Sequence, residues 1–80
     1  MSVEVADGVI HVRGNGRVED AEPILAALQD DPAAVINLSG ATRLHSATIQ
    51  LLVALRPRIA GAPSDPFQAR HIIPLLVDAP

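Results

Sequence analysis

The sequence contains no cysteine and no lysine, and Phe67 is its only residue of the types Phe, Trp and Tyr. The absence of cysteine excludes disulfides, Cys-ligated zinc and thiol nucleophiles, and it is typical of a reducing compartment. Nucleic-acid binders use stacking aromatic rings and a basic surface, and this chain has a net charge of −3. We therefore do not expect nucleic acid as a partner.

Long apolar runs are also missing. The longest covers residues 49–55 and includes Gln50, so it is far too short to span a bilayer. The first residues have neither the basic nor the apolar region of a signal peptide, so we expect a cytoplasmic protein without membrane insertion. Eighty residues, 49% of them hydrophobic, predict one domain over residues 1–80 with a small aliphatic core.

Short β-branched runs lie on either side of Asp7 and Gly8. Because glycine tolerates a positive φ, this pair predicts a hairpin between strands at residues 3–5 and 9–13. Helical spacing of apolar residues predicts a helix over residues 20–29, which Pro32 ends. The apolar run at residues 33–38 is typical of a buried central strand.

The second half of the chain is predicted to be mainly helical. A loop at residues 39–45 leads to a helix that Pro57 stops or kinks before residue 60. Within residues 66–80, a third helix is predicted from Pro66 to about Val77, capped by Ser64 or Asp65 and disturbed by Pro74. An edge strand at residues 72–77 is the alternative. The order β-β-α-β-α-α indicates an α/β fold of three to four strands covered by two to three helices.

His45 and Ser46 stand side by side at the start of the second helix and are the best candidates for chemistry. Sequence neighbours rarely form a nucleophile and base pair, and no G-x-S-x-G elbow accompanies them. The three histidines are scattered, without the spacing that brings metal ligands together. We expect no enzymatic activity, no metal and no cofactor.

Ser46 has two further interpretations, which use the same geometry. A serine that accepts a backbone N–H at a helix start stabilises that helix by about 1 kcal/mol and needs no other function. A hydroxyl at the same place also suits phosphorylation, because the free N–H groups and the positive end of the helix dipole receive a phosphate.

The segment AAVINLSGATRLHSATIQLLVAL, residues 33–55, resembles the middle of the STAS domain, which occurs in anti-sigma factor antagonists, sulphate transporters and lipid-transport accessory subunits. In that family an apolar strand ending in Asp-Leu-Ser leads through a short loop to Asp-Ser-Ser-Gly-Leu, which opens a leucine-rich helix. Weaker agreement in strands, turn and helix extends the resemblance over residues 3–60. Residues 61–80 leave little room for the family's next strand, so the resemblance implies a shortened sheet.

The signature is changed at several positions. Asn37 occupies the position of the Asp in the family's Asp-Leu-Ser, and Leu38 and Ser39 match the two residues after it. His45 replaces the Asp that opens the second motif. Ser46 matches the first Ser of this second motif. Ala47 occupies the position of its second Ser, which is the residue phosphorylated in the antagonists. Thr48 replaces the Gly. Ser46 or Thr48 is then the substitute phosphoacceptor, or the protein binds without the phosphorylation switch.

The resemblance implies a protein-interaction module, a regulatory antagonist or accessory subunit, that docks a kinase-like, anti-sigma-like or transporter partner. The expected docking residues are Arg43, His45, Ser46, Thr48 and Gln50. His45 makes this surface less acidic than the family signature, which favours different partners. The alternatives are a self-associating structural domain, such as a homodimer, and a ligand-binding or enzymatic domain that uses His45 and Ser46.

Overall fold

The computed structural model describes residues 2–77, except for the side chain of Ser2. Its first two strands, β1 (Ser2–Ala6) and β2 (Val9–Asn15), form the predicted antiparallel hairpin. Asp7 and Gly8 form the turn with φ angles of 52° and 77°. Both angles lie in the left-handed region, which glycine adopts without a steric cost and Asp tolerates better than most residues. The hairpin prediction is confirmed.

The structure is a mixed α/β fold, which confirms the predicted class, but its sheet has five strands where three to four were expected. The strand β3 (Val35–Asn37) pairs in parallel with β2, and β5 (Arg58–Ala60) pairs in parallel with β3. The short β4 (Ala41–Arg43) pairs with the end of β2. The strands β4 and β5 were not predicted, because three residues are too few for a hydrophobic period to be visible.

Three helices accompany the sheet. A 3₁₀ turn (Val18–Asp20) leads into α1 (Ala21–Asp30), and α2 (Ser46–Leu55) follows β4. A π turn (Gln68–Ile72) leads into α3 (Ile73–Leu76). α1 contacts α2 and β1, and α2 contacts α3, so α2 is the middle helix of this layer. Among residues 2–77, no helix is long and apolar enough to cross a membrane.

The end of α2 corrects one expectation. The helix stops at Leu55, and Arg56 adopts a left-handed conformation, with its N–H donating to the Leu52 carbonyl at 2.8 Å. The ring of Pro57 disfavours the helical conformation at Arg56, so the chain turns and enters β5. The sheet therefore has a strand after α2, which corrects the expectation of a shortened sheet.

The last helix is confirmed as a helix through Leu76, and the edge-strand alternative is wrong for the described part of the segment; residues 78–80 lie outside it. Asp65 is its cap, since Asp65 Oδ2 accepts from the Gln68 N–H at 3.0 Å. Pro74 has no N–H and its ring would clash with the carbonyl of Arg70 in an α-helix. The preceding turn widens instead, with the Ile73 N–H donating to the Gln68 carbonyl.

The core lies between the helices and one face of the sheet. On β2, Ile10 and Val12 are fully buried, whereas Arg13 on the opposite face is exposed, as the two-residue period of a strand requires. The uncovered face has the salt bridge of Arg13 with Glu4, at 2.8 Å. The buried apolar residues form one cluster: Ile10, Val12, Ile24, Leu28, Ala34, Ile36, Leu38, Ala41, Leu44, Leu52, Ile73 and Leu76.

Candidate functional site

The N-terminus of α2 is capped by His45. Its Nδ1 accepts a hydrogen bond from the Ala47 N–H at 3.0 Å, and its carbonyl accepts the first helical bond from Ile49. His45 has the extended backbone conformation of a cap residue, with φ −72° and ψ 150°. The capping role that the sequence suggested for Ser46 therefore belongs to His45. Histidine and the family's aspartate share the property that matters here, an acceptor atom within reach of the second N–H of the helix.

The cap bond also bears on the His45 and Ser46 pair. Because Nδ1 accepts from a backbone N–H, the neutral ring carries its proton on Nε2. Within residues 2–77, Ser46 makes no side-chain hydrogen bond to His45, so the two side chains are not arranged as a base and its nucleophile. Ser46 lies in the first turn of α2 with its side chain exposed.

The predicted docking residues divide into an exposed group and one buried residue. Arg43, Ser46 and Gln50 are exposed, and His45 is half-buried. Ser46 and Gln50 are four residues apart and therefore share one face of α2, which continues at Val53, 44% exposed. We call the residues Arg43, His45, Ser46, Gln50 and Val53 the α2 surface.

Thr48 is the exception. Only 1% of this residue is exposed, so its prediction as a docking residue or phosphoacceptor is wrong. Its Oγ1 is buried and has no hydrogen-bond partner among residues 2–77. A helical threonine usually donates to the carbonyl four residues earlier, but that carbonyl, of Leu44, already accepts from Gln68 Nε2 at 2.9 Å.

The loop before α2 is held from one side by the end of β2. The Gly16 N–H donates to the Arg43 carbonyl at 2.7 Å. A Cβ added to Gly16 would lie 2.5 Å from the His45 nitrogen, which is closer than real Cβ contacts occur. Position 16 therefore requires glycine because of this close backbone approach.

The same loop is held from the other side by Gln68. The Leu44 N–H donates to Gln68 Oε1 at 2.7 Å, and Gln68 Nε2 donates to the Leu44 carbonyl at 2.9 Å. Gln68 is 5% exposed, so the two bonds are shielded from water. Both backbone groups of Leu44 are thereby satisfied by one side chain, which fixes the residue immediately before the cap.

Two basic side chains lie beside this helix start. Arg43 ends β4, and Arg17 follows Gly16 in the loop that contacts Arg43. In the adjoining turn, Asp20 is buried and its Oδ2 accepts from the Arg17 N–H at 2.6 Å, whereas Glu19 is exposed. Because the N-terminus of α2 adds a partial positive charge, this corner favours a negatively charged group even though the whole chain is acidic.

A second polar group lies at the carboxyl end of β3. Asn37 Nδ2 lies 3.1 Å from His11 Nδ1, and Asn37 Oδ1 accepts from the Ser39 N–H at 3.1 Å and from Ser39 Oγ at 2.8 Å. These bonds bind the strand end to its neighbour β2 and account for the polar residues there. His11, which lies on the uncovered face of the sheet, is half-buried. In the described chain no three His, Cys, Asp or Glu side chains are grouped as a metal site.

Two grooves lie away from the α2 surface. One of about 540 Å³ is formed by Pro66, Phe67, Ala69, Arg70 and His71. Another of about 300 Å³ lies between the ends of α1 and α2 and is lined by Leu25, Leu28, Gln29, Pro32, Leu55, Arg56 and Pro57. None of the five residues of the α2 surface lines either groove, and four of them are exposed. This suits a macromolecular partner better than a small ligand.

No family model, no curated protein and no solved structure significantly matched this chain.

The residues that position the α2 surface were only partly predicted. Gln68 was not, because glutamine in a helix is usually exposed and only the tertiary fold brings it to Leu44. Val53 was also not among the predicted docking residues, because an apolar side chain in a helix is more often part of the core.

Proposed function

We propose that this chain is a STAS-like protein-interaction module, a regulatory antagonist or accessory subunit, which docks a protein partner through the α2 surface. The observation that carries the proposal is the exposed Ser46 in the first turn of α2, directly after a capped and rigidly held loop. This is the place at which the STAS signature has its hydroxyl residues. The strand β5 after α2 agrees with the same family order.

The geometry favours a partner that presents a carboxylate. Arg17 and Arg43 are exposed and belong to the segments next to the positive end of α2. Of the acids in these segments, Asp20 is buried and Asp65 Oδ2 accepts from the Gln68 N–H, which leaves Glu19 as an exposed acid beside them. A phosphate on Ser46 would add up to two negative charges at this point and repel such a partner. The surface is therefore compatible with a partner that binds the unphosphorylated protein. It is equally compatible with loss of that partner when Ser46 is phosphorylated.

The proposal also covers enzymatic activity, location in the cell and the kind of partner. We assign no enzymatic activity, because His45 is occupied by the cap bond and no base contacts Ser46 in the described chain. We assign the protein to the cytoplasm, where the kinases and anti-sigma factors of such antagonists act. The partner is of the kinase, anti-sigma or transporter-subunit kind.

The test is quantitative co-purification from a lysate of the source cells with three folded proteins: wild type, Ser46→Asp and Gln50→Glu. Aspartate in the first turn of a helix is stabilising, so a loss of binding by Ser46→Asp does not reflect unfolding. We expect one partner to be retained by wild type and reduced roughly tenfold or more by Ser46→Asp, which corresponds to about 1.4 kcal/mol of binding free energy.

Gln29→Glu is the matched control for Gln50→Glu, because Gln29 is exposed on α1, away from the α2 surface. Gln29→Glu adds the same negative charge as Gln50→Glu and should leave the amount of captured partner unchanged. Equal capture by wild type, Ser46→Asp and Gln50→Glu would place the interface elsewhere and refute this function.

A further inference from the structure

The charges of this chain are separated along the sequence. Residues 18–42 include five acidic residues and no basic one. Residues 56–77 include Arg56, Arg58, Arg70 and His71 and one acidic residue, Asp65. The acidic segment contains α1, the basic segment contains the last helix, and α2 contacts both.

The sheet has an open edge at each end. In the described part of the chain, β1 pairs with β2 alone and β5 pairs with β3 alone. The outward N–H and C=O groups of such edges are available to pair with another strand. Natural edges are commonly protected by lysine or proline within the strand, but β1 has neither, and its Val5 is 58% exposed.

The two edges are complementary in direction. β5 runs parallel to β3 and hence to β2, whereas β1 runs antiparallel to β2. If a second copy with the same orientation extends the sheet, its β5 lies antiparallel to β1. This is the pairing that two short strands form most readily.

The edges are also complementary in side chains. The strand registers place Glu4 and Arg58 on the uncovered face of the sheet, and both are exposed. Val3 and Ile59 lie on the other face, where each packs against the core and stays only partly buried. One antiparallel register places Glu4 opposite Arg58 and Val3 opposite Ile59. An ion pair then forms on one face and an aliphatic pair on the other.

We propose that copies of this chain associate head to tail, with β1 of one copy pairing with β5 of the next and Glu4 opposite Arg58. Symmetric pairing of two β1 strands over their whole length would instead place Glu4 opposite Glu4, which is repulsive. The head-to-tail contact leaves one free β1 and one free β5 at the ends, so assembly continues beyond two copies. This contact involves the sheet edges and is independent of the α2 surface.

The first measurement is the weight-average mass by light scattering, over concentrations from micromolar to millimolar at low salt. We expect the mass to rise to about twice the monomer mass of 8.4 kDa or more, and to fall as salt is added. The Arg13 guanidinium beside Glu4 holds the pKa of that carboxyl below its ordinary value, so Glu4 remains charged at neutral pH. The assembly should weaken only in acid, where the carboxyl is protonated.

Charge reversal identifies the contact. Arg58→Glu and Glu4→Arg should each return the protein to monomer, and the double variant should associate again because the pair is restored with opposite signs. Arg58 is exposed, so Arg58→Glu tests the contact without disturbing the core. Circular dichroism checks that Glu4→Arg, which loses the bond with Arg13, remains folded.

Arg43→Glu is the matched control, because it reverses a charge on the α2 surface and should leave the mass unchanged. Arg58→Glu should in turn leave partner capture unchanged, which keeps the two proposals separable. A monomer at every concentration would overturn the head-to-tail contact. So would an assembly that survives both single reversals, or one that the double variant does not restore.

Discussion

Gln68 binds both backbone groups of Leu44, accepting from its N–H at 2.7 Å and donating to its carbonyl at 2.9 Å. The two residues are 24 positions apart, and both are buried. An amide side chain is suited to this contact because it carries one acceptor and one donor at fixed separation. The last helix thereby sets the backbone position from which His45 caps α2.

Replacement of Gln68 by leucine should destabilise the protein by roughly 2 kcal/mol or more, because the N–H and carbonyl of Leu44 would both lose their buried partner. Chemical unfolding measures this change. Gln29→Leu on the exposed face of α1 is the control and should change the free energy of unfolding by less than about 0.5 kcal/mol. Equal effects of the two variants would contradict the assigned role of Gln68.

Gly16→Ala should destabilise the protein by about 1–3 kcal/mol, since its Cβ would meet the backbone of His45 and Arg43 at 2.5 and 2.7 Å. Backbone atoms held in hydrogen bonds cannot easily give way. Gly40→Ala is the matched control, because its Cβ would meet the flexible Arg13 side chain at 3.0 Å. A thermal melt should distinguish the two variants, and a Gly16→Ala protein as stable as Gly40→Ala would count against the close approach.

His45→Ala should cost about 1 kcal/mol of stability through loss of the helix cap. His45→Asp keeps an acceptor at the cap and adds a negative charge at the positive end of α2, so it should be more stable than wild type by about 0.3–1 kcal/mol. Urea unfolding of the three proteins gives this order directly. An alanine variant as stable as wild type would mean that the Nδ1 contact contributes nothing.

Thr48→Val should stabilise the protein by about 1 kcal/mol, because it removes a buried hydroxyl that has no partner and preserves the branched shape. Thr48→Ser retains the hydroxyl, loses a buried methyl group and should destabilise the protein by a similar amount. The expected order of unfolding midpoints is Val, Thr, Ser. The reverse order would show that the hydroxyl has a stabilising partner.

The local elements followed from the sequence where a local signal existed. The turn at Asp7 and Gly8, the buried strand around Ile36 and the start of the last helix at Asp65 all depend on neighbouring residues. Of the predicted docking residues, Arg43, Ser46 and Gln50 are exposed, and their role in docking stays a prediction. Thr48 was misplaced because the rotation of α2 about its axis depends on what packs against it.

By itself, the sequence determined the α/β class, the hairpin, the three helices and the loop that precedes α2, because hydrophobic periodicity and turn residues act over a few neighbours. Only the tertiary structure decided that β4 and β5 join the sheet, that His45 is the cap and that Gln68 and Gly16 hold the loop. Each of these depends on backbone groups from distant segments that must find partners once water is excluded. The same strand order leaves β1, with Glu4, and β5, with Arg58, as the two edges of the sheet.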